Sequence, residues 1–309
     1  MNAMRLTGTA PSLRYRSAIE TAHPWRDPGH VVVETCVEDI EGVRVSARAG
    51  ADRAELCDNL AAGGTTPSIG AVEAAIFAAA EEVTHRRAVA GVHWATGPAS
   101  APFGLRIMIR PRGGSFVFDA DEVRAMMADV RRIAALARQM SEFTRPQRVG
   151  GPKQALPPAV DLGFVMGALT DEHAIDRGLL RLLVDFAEGA PVTFSKAIDV
   201  TRDPIEAYGD LGGLGVGYVL TSGGAATAVE GAEVLRGMVA AGRAGGGPRV
   251  VAAGSVRPES VAQVVEAGGV REVHMRCSVP GATWQEPQRT EEAQVRRAVE
   301  VARALPLPS

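Results

Sequence analysis

The feature that most constrains the fold is a regular alternation of short β-branched runs with longer, alanine-rich segments of helical period. This alternation predicts βαβ units, in which crossover helices join parallel strands. Eight runs are predicted as strands, at 31–37, 53–58, 105–111, 160–167, 192–198, 217–223, 249–255 and 271–277. Eight helices are predicted at 39–49, 68–83, 119–140, 172–188, 203–212, 224–242, 257–267 and 290–304. Four of them are expected to begin after a capping side chain, at Ser68, Asp119, Asp171 and Asp203.

Eight strand–helix pairs predict an α/β protein with a single-domain (β/α)8 TIM barrel, a fold of about 250 residues. Residues 30–309 are long enough to form it. A doubly wound open sheet is the alternative, because counting units does not show closure. Residues 1–29 mix Pro, Gly, Arg and His without periodicity, so they are predicted to be a flexible N-terminal arm.

Two stretches, 84–104 and 141–159, are rich in Gly, Pro and Arg and lack a periodic face. Each precedes a predicted strand. In a barrel such a segment lies at the face opposite the chemistry, so we expect flexible connections from helix to strand rather than lids.

Charge and cysteine content exclude several classes of protein. Lys and Arg number 33 against 36 Asp and Glu, a net charge of −3, so no global positive field is available to hold nucleic acid. Every apolar run is shorter than the roughly 18–20 residues that span a bilayer, and no signal-peptide pattern opens the chain. Cys36, Cys57 and Cys277 are too few for a disulfide scaffold. We therefore expect a cytoplasmic protein without nucleic-acid or membrane partners.

In a TIM barrel the chemistry lies at the carboxyl ends of the strands. Polar side chains at these predicted ends include Glu34, Cys36, Glu55, Cys57, Asp58, Arg110, Arg112, Thr221, Ser222 and His274. Side chains alternate along a strand, so each of Cys36 and Cys57 shares a face with the glutamate two residues before it. Glu34, Asp58 and His274 are the candidates for catalytic proton transfer.

Two loops have features of anion-binding turns. Gly63, Gly64 and Thr65 follow the second strand, and Thr221 and Ser222 follow the sixth. Glycine-rich turns and helix N-termini can present backbone N–H groups to an oxyanion. For the first loop, the alternative is a simple turn that needs a positive φ at Gly63 or Gly64.

Arg110 and Arg112 place two permanent positive charges beside these loops. Guanidinium groups suit bidentate contacts with a substrate carboxylate or phosphate. The alternative is internal pairing with Glu34, Glu55 or Asp58, because buried carboxylates need such partners.

The sequence has no CxxC or HExxH metal motif. A metal site could still assemble from Cys36, Cys57 and His274, because the first, second and eighth strands are adjacent in a closed barrel. Two thiolates and an imidazole suit Cu(I) or Zn(II). The alternatives are that both cysteines are buried packing residues and that His274 is a hydrogen-bonded core residue.

The segments 34–38 (ETCVE), 50–68 (GADRAELCDNLAAGGTTPS), 109–114 (IRPRGG) and 220–223 (LTSG) resemble the CutC family, named for copper homeostasis. The resemblance extends from about 31 to 280 and implies a cytoplasmic (β/α)8 barrel that forms homo-oligomers. It also implies a role in copper homeostasis with copper as the bound ion.

The chain departs from the family pattern in three places. A His-Arg-Ala-Phe-Asp run usual after the fifth strand is Ser-Lys-Ala-Ile-Asp at 195–199, which removes an imidazole and replaces a planar guanidinium with an ammonium. A glycine triplet usual after the seventh strand is Ala-Ala-Gly at 252–254. The connection at 141–159 is longer than in the family.

Three functions remain open. Copper handling would use Cys36 and Cys57 as thiolate ligands, with His274 as a third ligand. A barrel enzyme would instead clamp a small anionic metabolite with Arg110 and Arg112, while His274 or a nearby carboxylate exchanges a proton. A non-catalytic scaffold would act through an oligomer interface.

Overall fold

The structure is a computed structural model that describes residues 28–148, 155–280 and 288–308. Eight parallel strands close a barrel in chain order: Val32–Val37 (β1), Arg53–Leu56 (β2), Phe103–Ile109 (β3), Val160–Met166 (β4), Val192–Phe194 (β5), Tyr218–Thr221 (β6), Arg249–Ala252 (β7) and Glu272–Met275 (β8). β8 pairs with β1, so the predicted TIM barrel is confirmed and the open sheet is excluded. Most of the predicted N-terminal arm, 1–27, lies outside the described residues.

A main α-helix follows each strand: Ile40–Ala49 (α1), Ile69–Val89 (α2), Ala120–Gln139 (α3), Arg177–Phe186 (α4), Pro204–Asp210 (α5), Ala232–Gly245 (α6), Val261–Gly268 (α7) and Glu292–Ala304 (α8). Ser68, Asp119 and Asp203 cap α2, α3 and α5 as predicted. The prediction of Asp171 as a cap is wrong. The chain first turns through an isolated bridge between Leu169 and Ile175, and the side chain of Asp176 caps α4 instead.

Two other predicted elements are shorter than expected. β5 ends at Phe194, because Ser195 accepts a hydrogen bond from the amide of Ala197 and opens a 3₁₀ helix over Lys196–Val200. α6 begins at Ala232 rather than near 224, because the preceding turn is held by contacts to the 3₁₀ helix.

Most of the stretch 84–104 is helical rather than irregular. α2 continues to Val89, and 3₁₀ turns follow at Gly91–Thr96 and Pro98–Ser100. The second stretch, 141–159, contains a short helical turn at Ser141–Thr144 and a two-stranded ribbon that joins Gln147–Arg148 to Ala155–Leu156. Residues 149–154 lie outside the described part of the chain.

The main apolar core lies between the barrel and its helices, where outward-facing strand residues such as Ile107, Phe164 and Val273 are fully buried. No helix among the described residues is both long and apolar enough to cross a membrane.

The barrel interior contains ion pairs instead of a purely aliphatic filling. Arg53 lies 2.7 Å from Glu34 and 2.5 Å from Glu272, and Arg106 lies 3.0 Å from Asp161. Barrel interiors are usually filled by branched apolar side chains, and buried charges are tolerated only when paired.

Two glycines make room for the arginines. An ideal Cβ on Gly104 would lie 2.3 Å from Cγ of Arg53. A Cβ on Gly163 would lie 3.0 Å from Cδ of Arg106 and 2.6 Å from a backbone oxygen. Because these positions on β3 and β4 are glycines, the side chains of Arg53 and Arg106 have space to extend across the barrel.

Candidate functional site

Two cysteines and a glutamate meet where β1 and β2 end. The strand register places Cys36 opposite Glu55, and Cys57 directly follows β2, two residues after Glu55. Sγ of Cys36 lies 3.3 Å from Oε2 of Glu55, a hydrogen-bond distance for sulfur. One ligand atom from each of the three residues lies within 4.8 Å of the other two. This set is called the thiol cluster below.

His274 approaches the thiol cluster from β8. Its Nδ1 atom lies 2.8 Å from Oε1 of Glu34, and its Nε2 atom lies 3.6 Å from Oε2 of Glu55. The second oxygen of Glu34 accepts a hydrogen bond from Nε of Arg53 at 2.7 Å. The imidazole therefore lies between two buried glutamates, one of which is already paired with a guanidinium.

Close packing of the thiol cluster against His274 shifts the pKa values of all four side chains. The hydrogen bond from Cys57 lowers the pKa of Cys36 against the effect of burial, and His274 lowers it further. The same hydrogen bond and burial raise the pKa of Cys57. Burial, followed by the charge of Cys36, raises the pKa of Glu55. Burial lowers the pKa of His274, but hydrogen bonds to Cys36 and Glu34 outweigh it and raise that pKa.

These shifts favour a thiolate at Cys36 and an imidazolium at His274, with neutral Cys57 and Glu55. Burial opposes ionisation of Glu34, but Arg53 and His274 hold its pKa well below the ordinary value. The other oxygen of Glu55, Oε1, is buried and has no hydrogen-bond partner in the described part of the chain. Buried polar atoms are nearly always paired, so Oε1 of Glu55 lacks a partner that a bound group could supply.

The loop after β2 covers the cysteines. Gly63 and Gly64 both have positive φ, 88° and 86°, which confirms the turn interpretation. A Cβ on Gly64 would lie 3.2 Å from Sγ of Cys57, so the missing side chain lets the backbone pack against the thiol. The N–H groups of Gly63, Gly64 and Thr65 donate to carbonyls inside the loop, that of Thr65 to Asp58.

The two arginines at the end of β3 hold loops together. Arg110 donates to the carbonyls of Gly63 at 3.0 Å and Gly114 at 2.6 Å. Arg112 contacts both carboxylate oxygens of Glu122 on α3, at 2.5 and 3.0 Å. Internal pairing was one expectation, but the partners are carbonyls and Glu122, because both side chains turn toward the loops rather than into the barrel.

Asp58 is exposed, and its carboxylate accepts a hydrogen bond from the amide of Asn59. The structure therefore does not bring it to Glu34 and His274. The sequence analysis named Glu55 only as a possible partner of Arg110 and Arg112 and left it out of the predicted metal site, whereas the structure places it in the thiol cluster. The signal was its position two residues before Cys57 on the same face of a strand.

Comparison with known proteins adds the family. The CutC family model matches residues 31–142 and 158–279. The chain belongs to the CutC family. The match is interrupted at 143–157, which coincides with the stretch predicted to be longer than in the family.

Relatives and a solved structure are also CutC proteins. A CutC family protein from Pasteurella multocida is 33% identical over 243 residues, which cover 79% of this chain and 80% of that protein. The human relative, described as a copper homeostasis protein cutC homolog, is 30% identical over 269 residues and 87% of this chain, and 80% of its own length is covered. The crystal structure of CutC from Streptococcus agalactiae matches with a TM-score of 0.60 at 25% identity, over 79% of this chain and 98% of that one.

The segment after β5 also contacts the turn after β6. Asp199 accepts hydrogen bonds from the hydroxyls of Thr221 and Ser222 and from the amides of Ser222 and Gly224. Lys196 pairs with the same carboxylate at 2.5 Å and also donates to Ser222 at 2.9 Å. The predicted anion-binding turn at Thr221 and Ser222 thus binds a carboxylate of this chain.

Proposed function

We propose that this protein takes part in copper homeostasis by binding Cu(I) through Cys36 and Cys57. The observation that carries the proposal is the thiol cluster, in which two sulfur atoms and a carboxylate oxygen lie within 4.8 Å of one another. Thiolates are soft ligands that suit Cu(I) and Zn(II), and the description of the human relative as a copper homeostasis protein homolog favours copper. In this proposal copper is the cargo of the protein.

The donor set fits the ion. Cys57 and Cys36 are 1% and 9% exposed, so a bound ion would be shielded from water and oxidants. Glu55 has a raised pKa and a hard oxygen donor, which makes it a poor ligand for a soft cation. We therefore assign the two sulfur atoms as ligands and Glu55 as a neighbouring group that holds a proton.

His274 is the proposed third ligand. Its Nδ1 atom is occupied by Glu34, so Nε2 is the ring nitrogen that faces the cluster. A carboxylate that orients the other ring nitrogen is typical of metal-binding histidines. Ligation would require His274 and Cys57 to lose protons, so Cu(I) affinity is expected to rise with pH.

The copper role also agrees with the description of the human relative as a copper homeostasis protein homolog. The alternative enzyme on a small anionic metabolite has less support at this end of the barrel. Its proposed clamp, Arg110 and Arg112, contacts loop carbonyls and Glu122, and the turn after β6 holds Asp199. That alternative stays a prediction, as do cytoplasmic location and homo-oligomer formation.

The test is an anaerobic Cu(I) titration against a competing chelator. Wild type is compared with the double variant Cys36→Ser/Cys57→Ser and with Cys277→Ser. Cys277 is also buried, lies beyond β8, and has its pKa raised to about 12 by burial, so it is a matched control outside the cluster.

We expect one equivalent of tightly bound Cu(I) in wild type and in Cys277→Ser, and loss of that equivalent in the double variant. Arg112→Ala should bind like wild type. Equal Cu(I) binding by wild type and the double variant would contradict the proposal.

A further inference from the structure

A second polar site lies at the opposite end of the barrel from the thiol cluster. A cavity of about 740 Å³ opens where the chain enters β1, β2, β3 and β4. Six charged residues line it, namely Arg53, Arg86, Arg106, Arg303, Asp52 and Asp161. Small-molecule sites typically have volumes of about 300–1,000 Å³, so the cavity is large enough for a metabolite.

Four arginines but only two aspartates line the cavity. Arg53 pairs with two glutamates of the barrel interior, and Arg106 pairs with Asp161 at 3.0 Å. Asp52 accepts hydrogen bonds from the amide of Val33 and contacts His30 at 2.8 Å. The two remaining guanidiniums, Arg86 on α2 and Arg303 on α8, form no salt bridge within the described residues.

Arg86 has unused hydrogen-bonding capacity. Its Nη2 atom donates to the carbonyl of Ala101, but its Nε is buried and has no partner in the described part of the chain. The Nε of Arg106, a side chain that is 1% exposed and also lines the cavity, is likewise unpaired. Buried donors without acceptors are costly, and an oxygen-bearing ligand would relieve that cost.

Arg86 and Arg303, the two cavity arginines without a salt bridge, also repel each other. Burial lowers the pKa of Arg86, Asp52 partly offsets this, and the positive charge of Arg303 lowers it again. A negatively charged ligand would compensate both the burial and the repulsion. Arg303 is held in place because its Nη2 atom donates to the carbonyl of Gly50 at 2.8 Å.

The remaining walls are largely apolar. They include Val32, Ala95, Pro98, Pro102 and the buried ring of Tyr218. Such walls favour an organic ligand with an apolar body and one anionic group over a bare inorganic ion.

We propose that this cavity binds a small organic anion, with its carboxylate or phosphate group between Arg86 and Arg303. The site would be independent of the proposed copper site, since it lies at the amino ends of the strands and uses other side chains. It is also distinct from Arg110 and Arg112, the anion-binding residues expected from sequence. This barrel would then also bind a ligand at the end that TIM barrels usually devote to stability.

The experiment is isothermal titration of the full-length protein with two probes, benzoate and phenyl phosphate. The variants are Arg86→Gln and Arg303→Gln, and Arg236→Gln is the matched control. Arg236 is an exposed arginine on α6 that also donates to a backbone carbonyl, that of Ala267, but it does not line the cavity.

We expect one equivalent of at least one probe, weakened about tenfold or more by either cavity variant and unchanged by Arg236→Gln. The probe that binds tighter identifies carboxylate or phosphate as the preferred group. The Cys36→Ser/Cys57→Ser variant should bind both probes like wild type. Failure of the copper proposal and failure of this one can therefore be distinguished.

Because Arg86→Gln also removes the contact to Ala101, a variant that keeps both arginines is needed. Ala95 is exposed at the cavity, and Ala95→Glu adds a negative charge there without removing a contact. It should weaken probe binding while the melting temperature stays close to that of wild type. Absence of binding by both probes, or equal binding by wild type, Ala95→Glu and the two arginine variants, would overturn the proposal.

Discussion

His274 and Glu34 face each other across β8 and β1, with Nδ1 and Oε1 2.8 Å apart. The other oxygen of Glu34 accepts a hydrogen bond from Arg53, which in turn pairs with Glu272. The orientation and charge of the imidazole beside the thiol cluster are thus tied to an ion-pair chain inside the barrel. The first two predictions below concern this series of ion pairs.

Glu34→Gln should destabilise the protein by about 3 kcal/mol, because it leaves the buried Arg53 and His274 without their shared carboxylate. Arg53 keeps Glu272, so the fold should survive. Urea denaturation gives the free energy of unfolding. Glu81→Gln is the control, since Glu81 pairs with Arg44 at 2.7 Å but is 64% exposed, and should lose at most about 1 kcal/mol. Equal losses in the two variants would contradict the prediction.

The contribution of His274 to stability should depend on pH. Its pKa in the folded protein is raised above the ordinary value of 6.5 by Cys36 and Glu34 despite burial. The stabilisation is therefore fully present below about pH 6.5 and is lost as pH rises through the raised pKa. The difference in unfolding free energy between metal-free wild type and His274→Gln should shrink as the pH rises above about 6.5.

His85→Gln, at an exposed position of α2, controls for the general effect of removing an imidazole. A difference for His274→Gln that grows with pH would show that the ring is neutral in the folded state.

Asp199→Ala should destabilise the protein by about 3 kcal/mol, because several donors of the turn after β6 lose a charged acceptor. The vacated turn should then bind a free carboxylate. We expect acetate to raise the melting temperature of Asp199→Ala more than that of wild type, by mass action. Asp171→Ala, an exposed aspartate, should show no such gain. An equal rise in melting temperature with acetate in all three proteins would argue against a carboxylate-binding site in the turn after β6.

Gly104→Ala should destabilise the barrel, because the new Cβ would lie 2.3 Å from Cγ and 3.1 Å from Cβ of Arg53. Overpacking of this kind costs about 1–3 kcal/mol. Gly70→Ala is the matched comparison, since a Cβ at this position of α2 meets nothing within 4 Å. It should stabilise by about 0.5–1 kcal/mol through the unfolded state. Thermal unfolding of both variants checks the opposite signs, and a loss of stability in both would refute the argument.

The order and type of the barrel elements could be predicted because strand and helix periodicity are local properties of the chain. Boundaries were less accurate where caps, backbone bridges or contacts with a distant segment intervened. β5 was predicted through 198, but the cap at Ser195 and the contacts between Asp199 and the turn after β6 end it at Phe194. The cap of α4 was misplaced because a local backbone bridge between Leu169 and Ile175 delays the helix.

The sequence by itself determined the barrel rhythm, the family resemblance and the strand-end position of Cys36, Cys57 and His274. Spacing by two along a strand and adjacency of neighbouring strands are sufficient for these predictions. Only the tertiary structure decided which polar groups meet. Glu55 lies in the thiol cluster, Asp58 faces away, and the arginines after β3 bind loops.

The cavity at the amino ends of the strands also depends on tertiary structure. Arg86 and Arg303 are more than 200 positions apart in sequence, and closure of the barrel places α2 and α8 on either side of the same opening. Side-chain direction, burial and long-range pairing are set by packing. For this reason local pattern predicted the elements of this protein, whereas the partners of its charged side chains followed only from the closed barrel.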